Sequence, residues 1–287
     1  MGIARNHHTL PAFYLKRFAD ENGLLSKWDK AAKKWGPIRP KSASVEVDFY
    51  IVETEEGPSD AIENALSVIE GRAAEVIQTI DAGTWPIAIE RKAQLAEFLS
   101  LQRVRGTGFR ASVNRFTDQI TDKMYYLEEM ASYQRQFLAA NGRQPNDDEL
   151  REHSRTIERP VQVSMSQNAA IEMMLKLAAD DLRLAIYTYR SWNLERATGA
   201  PYVTADSPLS LWSSNPPGFW GEGEATVDEI AFPLDPRTCL VMRHPDTGES
   251  VTDVDSDRVR ELNDRTFDHA HKLVFARPGS EGQVLEP

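Results

Sequence analysis

The residues best suited to chemistry in this chain are polar side chains standing where a plain globular protein would place apolar ones. His7 and His8 are adjacent and lie just ahead of a helix start. Imidazoles there can donate, accept or transfer a proton, or bind a metal. The pair equally suits capping or a solvated surface, and a metal site needs a third ligand that the sequence does not name. Further along, Gln102 and Arg105 fall on the side of a helix that Leu95, Phe98 and Leu99 turn inward. A buried amide or guanidinium must find partners, because an unpaired buried polar group costs about 1–3 kcal/mol and a charge more. Glu63 and Glu70 border the apolar stripe of the preceding helix and can meet that arginine, in a site or as a structural bridge between helices. Asp206, in Thr204-Ala205-Asp206-Ser207-Pro208, suits a catalytic carboxylate at a strand end or an Asx turn before proline. Asn263 sits at helical spacing with Val259, Thr266 and Ala270, and so faces inward as a substrate contact or a satisfied structural amide.

Other patterns carry less. Asp253-Val254-Asp255-Ser256-Asp257 opens like a calcium loop, but Arg258 stands where a glycine must turn and Asp264 where the bidentate glutamate belongs. His269-Ala270-His271 lacks the spacing that puts two imidazoles on one helix face. Arg265 with His271 fits the Arg-then-His spacing of helical ribonucleases, a pattern that chance supplies at this Arg and His content. There is no Walker A loop, dinucleotide glycine motif or nucleophile-elbow serine, so no cofactor is implied. The net charge of −11 argues against a broad nucleic-acid or anionic-membrane surface. It leaves room for a local basic groove, for which Arg103, Arg105, Arg110 and Arg115 are available; no other partner is indicated. Cys239, the single cysteine, cannot form an intramolecular disulfide, and its strand-like neighbours mark a packed thiol. No apolar run approaches the roughly 20 residues that span a bilayer, and residues 1–8 lack the apolar core of a signal peptide. The expected location is the cytoplasm.

These residues must be held by a modest set of elements. Thr9 reads as the N-cap of a short helix with Pro11 in its first turn, closed by Asn22-Gly23. Strands follow at 24–28 and 45–52. Ile62, Leu66, Ile69, Ala73, Val76, Ile77 and Ile80 make an amphipathic stripe over 60–81. A second helical stretch starts near Pro86, with a break at Gly106-Thr107-Gly108, and resumes to about Ala140. Asn146 caps a short charged helix, and another helix spans about 166–181. Residues 184–197 look strand-like, with Thr198-Gly199 as a hairpin turn into Tyr202-Val203-Thr204. Strands at 229–234, 238–243 and 273–276, and a helix over 254–271, complete the pattern. The loop 215–224 reads as loose, or as a lid. The fold expected is α+β: one compact domain over 1–287, with a small β region at 1–55, a mainly helical middle at 56–182 and a β-rich region with one helix at 183–287. Small antiparallel sheet pieces from both terminal regions are expected to meet in one sheet.

The run His7-His8-Thr9-Leu10-Pro11-Ala12-Phe13-Tyr14-Leu15-Lys16-Arg17-Phe18 resembles the opening motif of the bacterial family called domain of unknown function 4238. Asp48-Phe49-Tyr50, Ile62-Glu63 onward to Glu70, Gln102 with Arg105, Ala205-Asp206-Ser207-Pro208 and Phe232-Pro233-Leu234 agree with it in order, so the resemblance covers nearly the whole chain. One departure is Gly106-Thr107 after Arg105, where the family pattern has Thr-Pro; it bears on the local helix break. The resemblance implies no mechanism. It does pick out His7, His8, Glu63, Gln102, Arg105 and Asp206, and so implies that several of them converge in one pocket.

Two functional readings follow. In the first, the chain is a hydrolase acting on a phosphodiester or nucleotide: a histidine is general acid or base, Arg105 stabilises anionic charge, and Asp206 or Glu63 orients the histidine. In the second, it is a non-catalytic binding or regulatory protein, and the same His, Arg and Glu side chains form a structural network.

Overall fold

In the computed structural model, which describes residues 5–158, 165–215 and 226–283, the chain forms two compact units, Met1–Phe109 with Gln167–Pro287, and Arg110–Ser166. The elements, in chain order, begin with β1 (Asn6–His8), α1 (Ala12–Lys16), β2 (Leu25–Asp29), β3 (Lys34–Ile38), β4 (Val45–Val47), β5 (Val52–Thr54) and β6 (Gly57–Ser59). The helical middle holds α2 (Ala61–Asp81), α3 (Ile89–Val104), α4 (Thr107–Asn141), α5 (Asp147–Thr156), α6 (Gln167–Leu177) and α7 (Arg183–Thr188). The rest is β7 (Ser191–Ala197), β8 (Thr204–Ala205), β9 (Ser210–Trp212), β10 (Glu229–Asp235), β11 (Thr238–Arg243), β12 (Val251–Val254), α8 (Ser256–His269) and β13 (Leu273–Ala276). The fold is α+β, with a helical middle and sheets built from both terminal regions.

Those regions do share a sheet. β2 pairs antiparallel with β3 on one side and with β13 on the other, and β13 in turn pairs with β8. A five-stranded sheet runs in the order β12-β7-β11-β10-β9, antiparallel except for the β12–β7 pair. α1 is short but sits in the middle of the principal core. Tyr14 stacks on Phe232 at 5.0 Å, and its hydroxyl donates to the Pro233 carbonyl at 2.8 Å. That leaves Thr204 Oγ1 to donate to Tyr14, at 2.6 Å. Phe98 of α3 meets Phe232 edge-on, so helix, strand and N-terminal motif close on one aromatic cluster.

In the second unit, α5 starts with a capping box. Asn146 accepts from the Asp148 and Glu149 amides, and Glu149 accepts from the Asn146 amide at 2.8 Å. Tyr133 of α4 stacks on His153 of α5 at 4.0 Å.

Several local expectations need correction. Thr9 is not an N-cap: Pro11 holds that position, and the Thr9 hydroxyl donates to the Ser44 carbonyl. The strand expected over 45–52 is divided into β4 and β5 by a turn in which Asp48 takes φ 55°, a left-handed conformation that aspartate tolerates better than most residues. Residues 183–188 are helical, because the apolar Ala185 and Ile186 pack inward at helical rather than strand spacing. Thr198-Gly199 does not turn a hairpin, since β7 and β8 belong to different sheets. Of the loop 215–224, only Asn215 falls within the described residues.

α8 is bound to the five-stranded sheet by a buried ionic network. Glu195 on β7 and Glu229 on β10 are both buried. Arg258 on α8 bonds Glu195 at 2.9 Å and Glu229 at 2.7 Å, Arg265 on α8 reaches Glu229, and Arg243 on β11 bonds Glu229 at 2.8 Å and also reaches Glu195. Burial pushes the Glu229 carboxyl up, but Arg258, Arg243 and Arg265 outweigh it and hold it below the ordinary carboxylate range. A depressed folded value contributes stability above the unfolded pKa and loses it as the pH falls through the folded one. Removing one partner from such a network leaves charges buried without compensation. Glu229→Gln is therefore expected to lose about 3–5 kcal/mol of stability in urea denaturation at pH 7. The deficit should narrow below about pH 4, as the wild-type carboxyl protonates. Equal stability of the two proteins at pH 7 would contradict a structural role for the network.

Candidate functional site

β1 pairs antiparallel with β4, with His7 opposite Glu46 and His8 opposite Val45. The turn after β4 then doubles back toward β1. Arg5 grips the Asp48 carboxylate, with Nε to Oδ1 at 2.9 Å, and the Asp48 amide donates to the Arg5 carbonyl at 2.7 Å. This delivers the Tyr50 amide to His7 Nδ1 at 3.1 Å and brings the two rings to 5.5 Å. A ring nitrogen that accepts a hydrogen bond cannot carry a proton, so while this bond is made the imidazole proton of neutral His7 sits on Nε2. His7 is 0% exposed, and its Nε2 has no hydrogen-bond partner among the described residues.

Arg105 is the C-cap of α3 and is 1% exposed. Each arm of its guanidinium is fixed: Nη1 to Glu70 of α2 at 2.7 Å, Nε to the Tyr50 hydroxyl at 3.2 Å, and Nη2 to the His8 carbonyl. The Tyr50 hydroxyl donates back to the Arg105 carbonyl at 3.0 Å. Burial opposes the charge, but Tyr50 and Glu70 outweigh it and raise the Arg105 pKa above its ordinary value. Arg105 thus lies inside, and does not contribute to a surface basic groove.

Around this fixed cation stand several further buried polar atoms. Among the described residues His8 Nδ1, Glu63 Oε2 and both amide atoms of Gln102 are buried and unpartnered. Gln102, 2% exposed, lies one helical turn before Arg105 on α3. Burial pushes the Glu63 carboxyl above the ordinary range; Arg105, and either imidazole when charged, pull it down, while Glu70 adds to the rise. The groups that act on Glu63 are the same ones that surround Arg105. His7, His8, Glu63 and Arg105 are thus brought together, with Gln102 on the neighbouring turn.

Asp206 and Asn263 are differently placed. The Asp206 carboxylate accepts from the amides of His271, Lys272 and Leu273 at 2.8, 2.7 and 3.1 Å, and so orders the approach to β13. Burial raises its pKa more than those three amides lower it. Its backbone carbonyl closes on the break between α3 and α4, where a Cβ added to Gly106 would sit 3.4 Å away. Two residues on, a Cβ at Gly108 would come within 2.9 Å of His271 Cβ, so only glycine fits without a shift. Asn263 accepts from the Val203 amide and donates to the Pro201 carbonyl, both at 3.0 Å, and so holds that segment to α8 by both ends of its side chain. Sequence spacing missed Tyr50, which links His7 to Arg105; the aromatic pair of Asp48-Phe49-Tyr50, within the strand expected over 45–52, was the available signal. It also missed the contact of His271 with Gly108, for which no local pattern exists. Among the described residues no group of three or more His, Cys, Asp or Glu side chains is arranged to hold a metal ion. Nor is any helix among them long and apolar enough to cross a membrane.

The fold and this cluster define an α+β protein with a polar centre closed in between its N-terminal strands and the helices α2 and α3. Within that class the chain belongs to the family described as protein of unknown function (DUF4238), whose model matches residues 6–280. No curated protein and no solved structure matches it.

The raised Glu63 pKa has a measurable sign. A carboxyl whose folded pKa is raised contributes stability below its unfolded value and loses it as the pH rises through the folded one. Glu63→Gln is therefore expected to raise the melting temperature at pH 7, with the gain disappearing below about pH 4. A lower melting temperature at pH 7 would mean that the ionised carboxylate is favourably paired instead.

Proposed function

We propose that the protein is a cytoplasmic hydrolase acting on a phosphodiester or nucleotide at the cluster around Arg105. The observation that carries this reading is the set of polar atoms on His7, His8, Glu63 and Gln102, buried and unpartnered among the described residues, beside a rigidly held guanidinium. Leaving such groups unpaired costs about 1–3 kcal/mol each. A site retains that cost where a ligand supplies the partners. The chemistry divides by what each atom can give. His7 Nε2–H can donate to an anionic oxygen, but losing that proton would leave an imidazolate, so its role is to bind and orient. Proton transfer falls to Glu63 and His8. With its pKa raised by burial, Glu63 is a stronger base than an ordinary carboxylate and can take the proton of an attacking water. As the water oxygen bonds to phosphorus and the ester P–O bond breaks, an imidazolium at His8 can protonate the departing oxygen. Arg105, whose arms are held by Glu70, Tyr50 and the His8 carbonyl, acts on the developing charge through its field rather than by contact. A cytoplasmic setting is supported by Cys239, a lone buried thiol that burial holds well above the ordinary thiol pKa.

One observation favours the second reading, a binding or regulatory protein with a structural network. Arg105, Asp206 and Asn263 all direct their hydrogen bonds to the protein's own backbone or side chains. A mixed panel of labelled RNA, DNA and nucleotides, assayed with and without divalent metals, separates the two. Wild type should cleave one class, and a folded His7→Ala, His8→Ala double variant should lose about 10²–10⁴-fold in rate. No turnover by well-folded wild type would sink the hydrolase and leave the binding protein.

A further inference from the structure

We propose a second ligand site, for a small phosphate monoester, in the cleft between the β10–β11 turn and the segment after β13. The cleft, of about 550 Å³, is lined by Arg17, Asp81, Asp235, Arg237 and Arg277, with Ser280 behind them. That volume suits a small organic ligand. It lies near the C-terminal end of α2, some eighteen residues past Glu63, or about 27 Å along the helix at 1.5 Å per residue. The cluster around Arg105 is therefore a separate place.

Floor and rim of the cleft differ electrostatically. On the floor, Arg17 is locked in place: both Nη atoms grip Asp81 at 2.7 and 2.8 Å, Nη2 also reaches Asp235 at 2.9 Å, and Nε donates to the Leu234 carbonyl at 2.7 Å. Its charge is offset by two carboxylates. The rim cations make no ion pair among the described residues. Among the described residues Arg237 has no carboxylate within ion-pair distance, and its Nη1 donates to the Gly199 carbonyl at 3.1 Å. Arg277 likewise has no ion-pair partner among the described residues, although its charge acts on Asp20, and both rim arginines are exposed.

Each rim arginine is presented by a pinned turn. The Asp235 carboxylate accepts from the Arg237 and Thr238 amides at 2.6 and 2.9 Å, which fixes the tight β10–β11 connection. The Arg277 carbonyl accepts from both the amide and the hydroxyl of Ser280, at 3.1 and 2.6 Å, around Gly279 at φ 86°. Fixed backbones lower the ordering cost of binding. Two guanidinium forks over a compensated floor match a phosphate dianion, which accepts several charge-assisted hydrogen bonds at once. Past Asp81, Asp235 and Arg237 the cleft continues into a second of about 600 Å³, where the exposed Asp253 carboxylate can accept from ligand hydroxyls. In a chain of net charge −11, a cleft lined by three arginines against two aspartates is a local reversal of sign.

Calorimetric titration with ribose 5-phosphate at low salt tests the site, using inorganic phosphate and ribose as separate arms. Binding of the phosphate ester by wild type is expected, with affinity at least tenfold lower in an Arg237→Ala, Arg277→Ala double variant of unchanged melting temperature. The Arg237→Lys, Arg277→Lys variant should recover part of the loss, and the His7→Ala, His8→Ala variant should bind as wild type does. No binding by wild type, or binding that the arginine variant retains, overturns the proposal. Loss of binding in the histidine variant would also overturn it, because the ester would then be held at the Arg105 cluster.

Discussion

A guanidinium keeps its charge even when removed from water, so its arms must find acceptors, and that demand at Arg105 organises the centre of this protein. Glu70 has to approach from α2, the His8 carbonyl from β1, and the Tyr50 hydroxyl from the turn after β4. None of these partners is close to Arg105 in sequence. Their convergence therefore fixes how the N-terminal ribbon lies against the helix pair. His7 follows from the same constraint, since the turn that brings Tyr50 to Arg105 also brings its amide to the imidazole. The arginine is thus a scaffold whose field acts on Glu63 beside it.

The opening motif plays two roles that its sequence presents as one. Its histidines belong to the polar centre, while Leu10, Tyr14, Leu15 and Phe18 fill the core beneath the sheets. Arg17 faces the other way, into the cleft it shares with Asp81 and Asp235. A single short helix therefore sets the relation between the cluster at one end of α2 and the cleft at the other. Few substitutions within it can be neutral, because each face of the helix meets a different environment.

What was legible beforehand was what periodicity controls. The stripe on α2 and the inward side of α3 were plain at three- and four-residue spacing, and from them the meeting of a border glutamate with Arg105 followed; Glu70 makes that bond. The pairing of N- and C-terminal strands was legible from their distribution along the chain. Partners set by distant backbone were not. Asp206 read locally as a strand-end carboxylate or an Asx turn, yet its oxygens are taken by amides 65 to 67 residues away. Asn263 was correctly read as inward-facing, but no spacing rule could show that Pro201 and Val203 occupy it. The hairpin at Thr198-Gly199 misled because turn chemistry reports where a chain bends and not which sheet it enters next.

The Tyr14 hydroxyl bonds to a carbonyl 219 residues further along the chain, and β2 acquires β13 as a neighbour from farther still. Contacts of such separation must close very large loops before they return any stabilisation, which makes for slow folding. During synthesis the N-terminal hairpin of β2 and β3 emerges long before β13 exists, so one edge of β2 stays open until then. An open edge with unpaired amides and carbonyls invites association with other chains. The same pairing that knits the finished protein together makes its nascent form a candidate for chaperone protection.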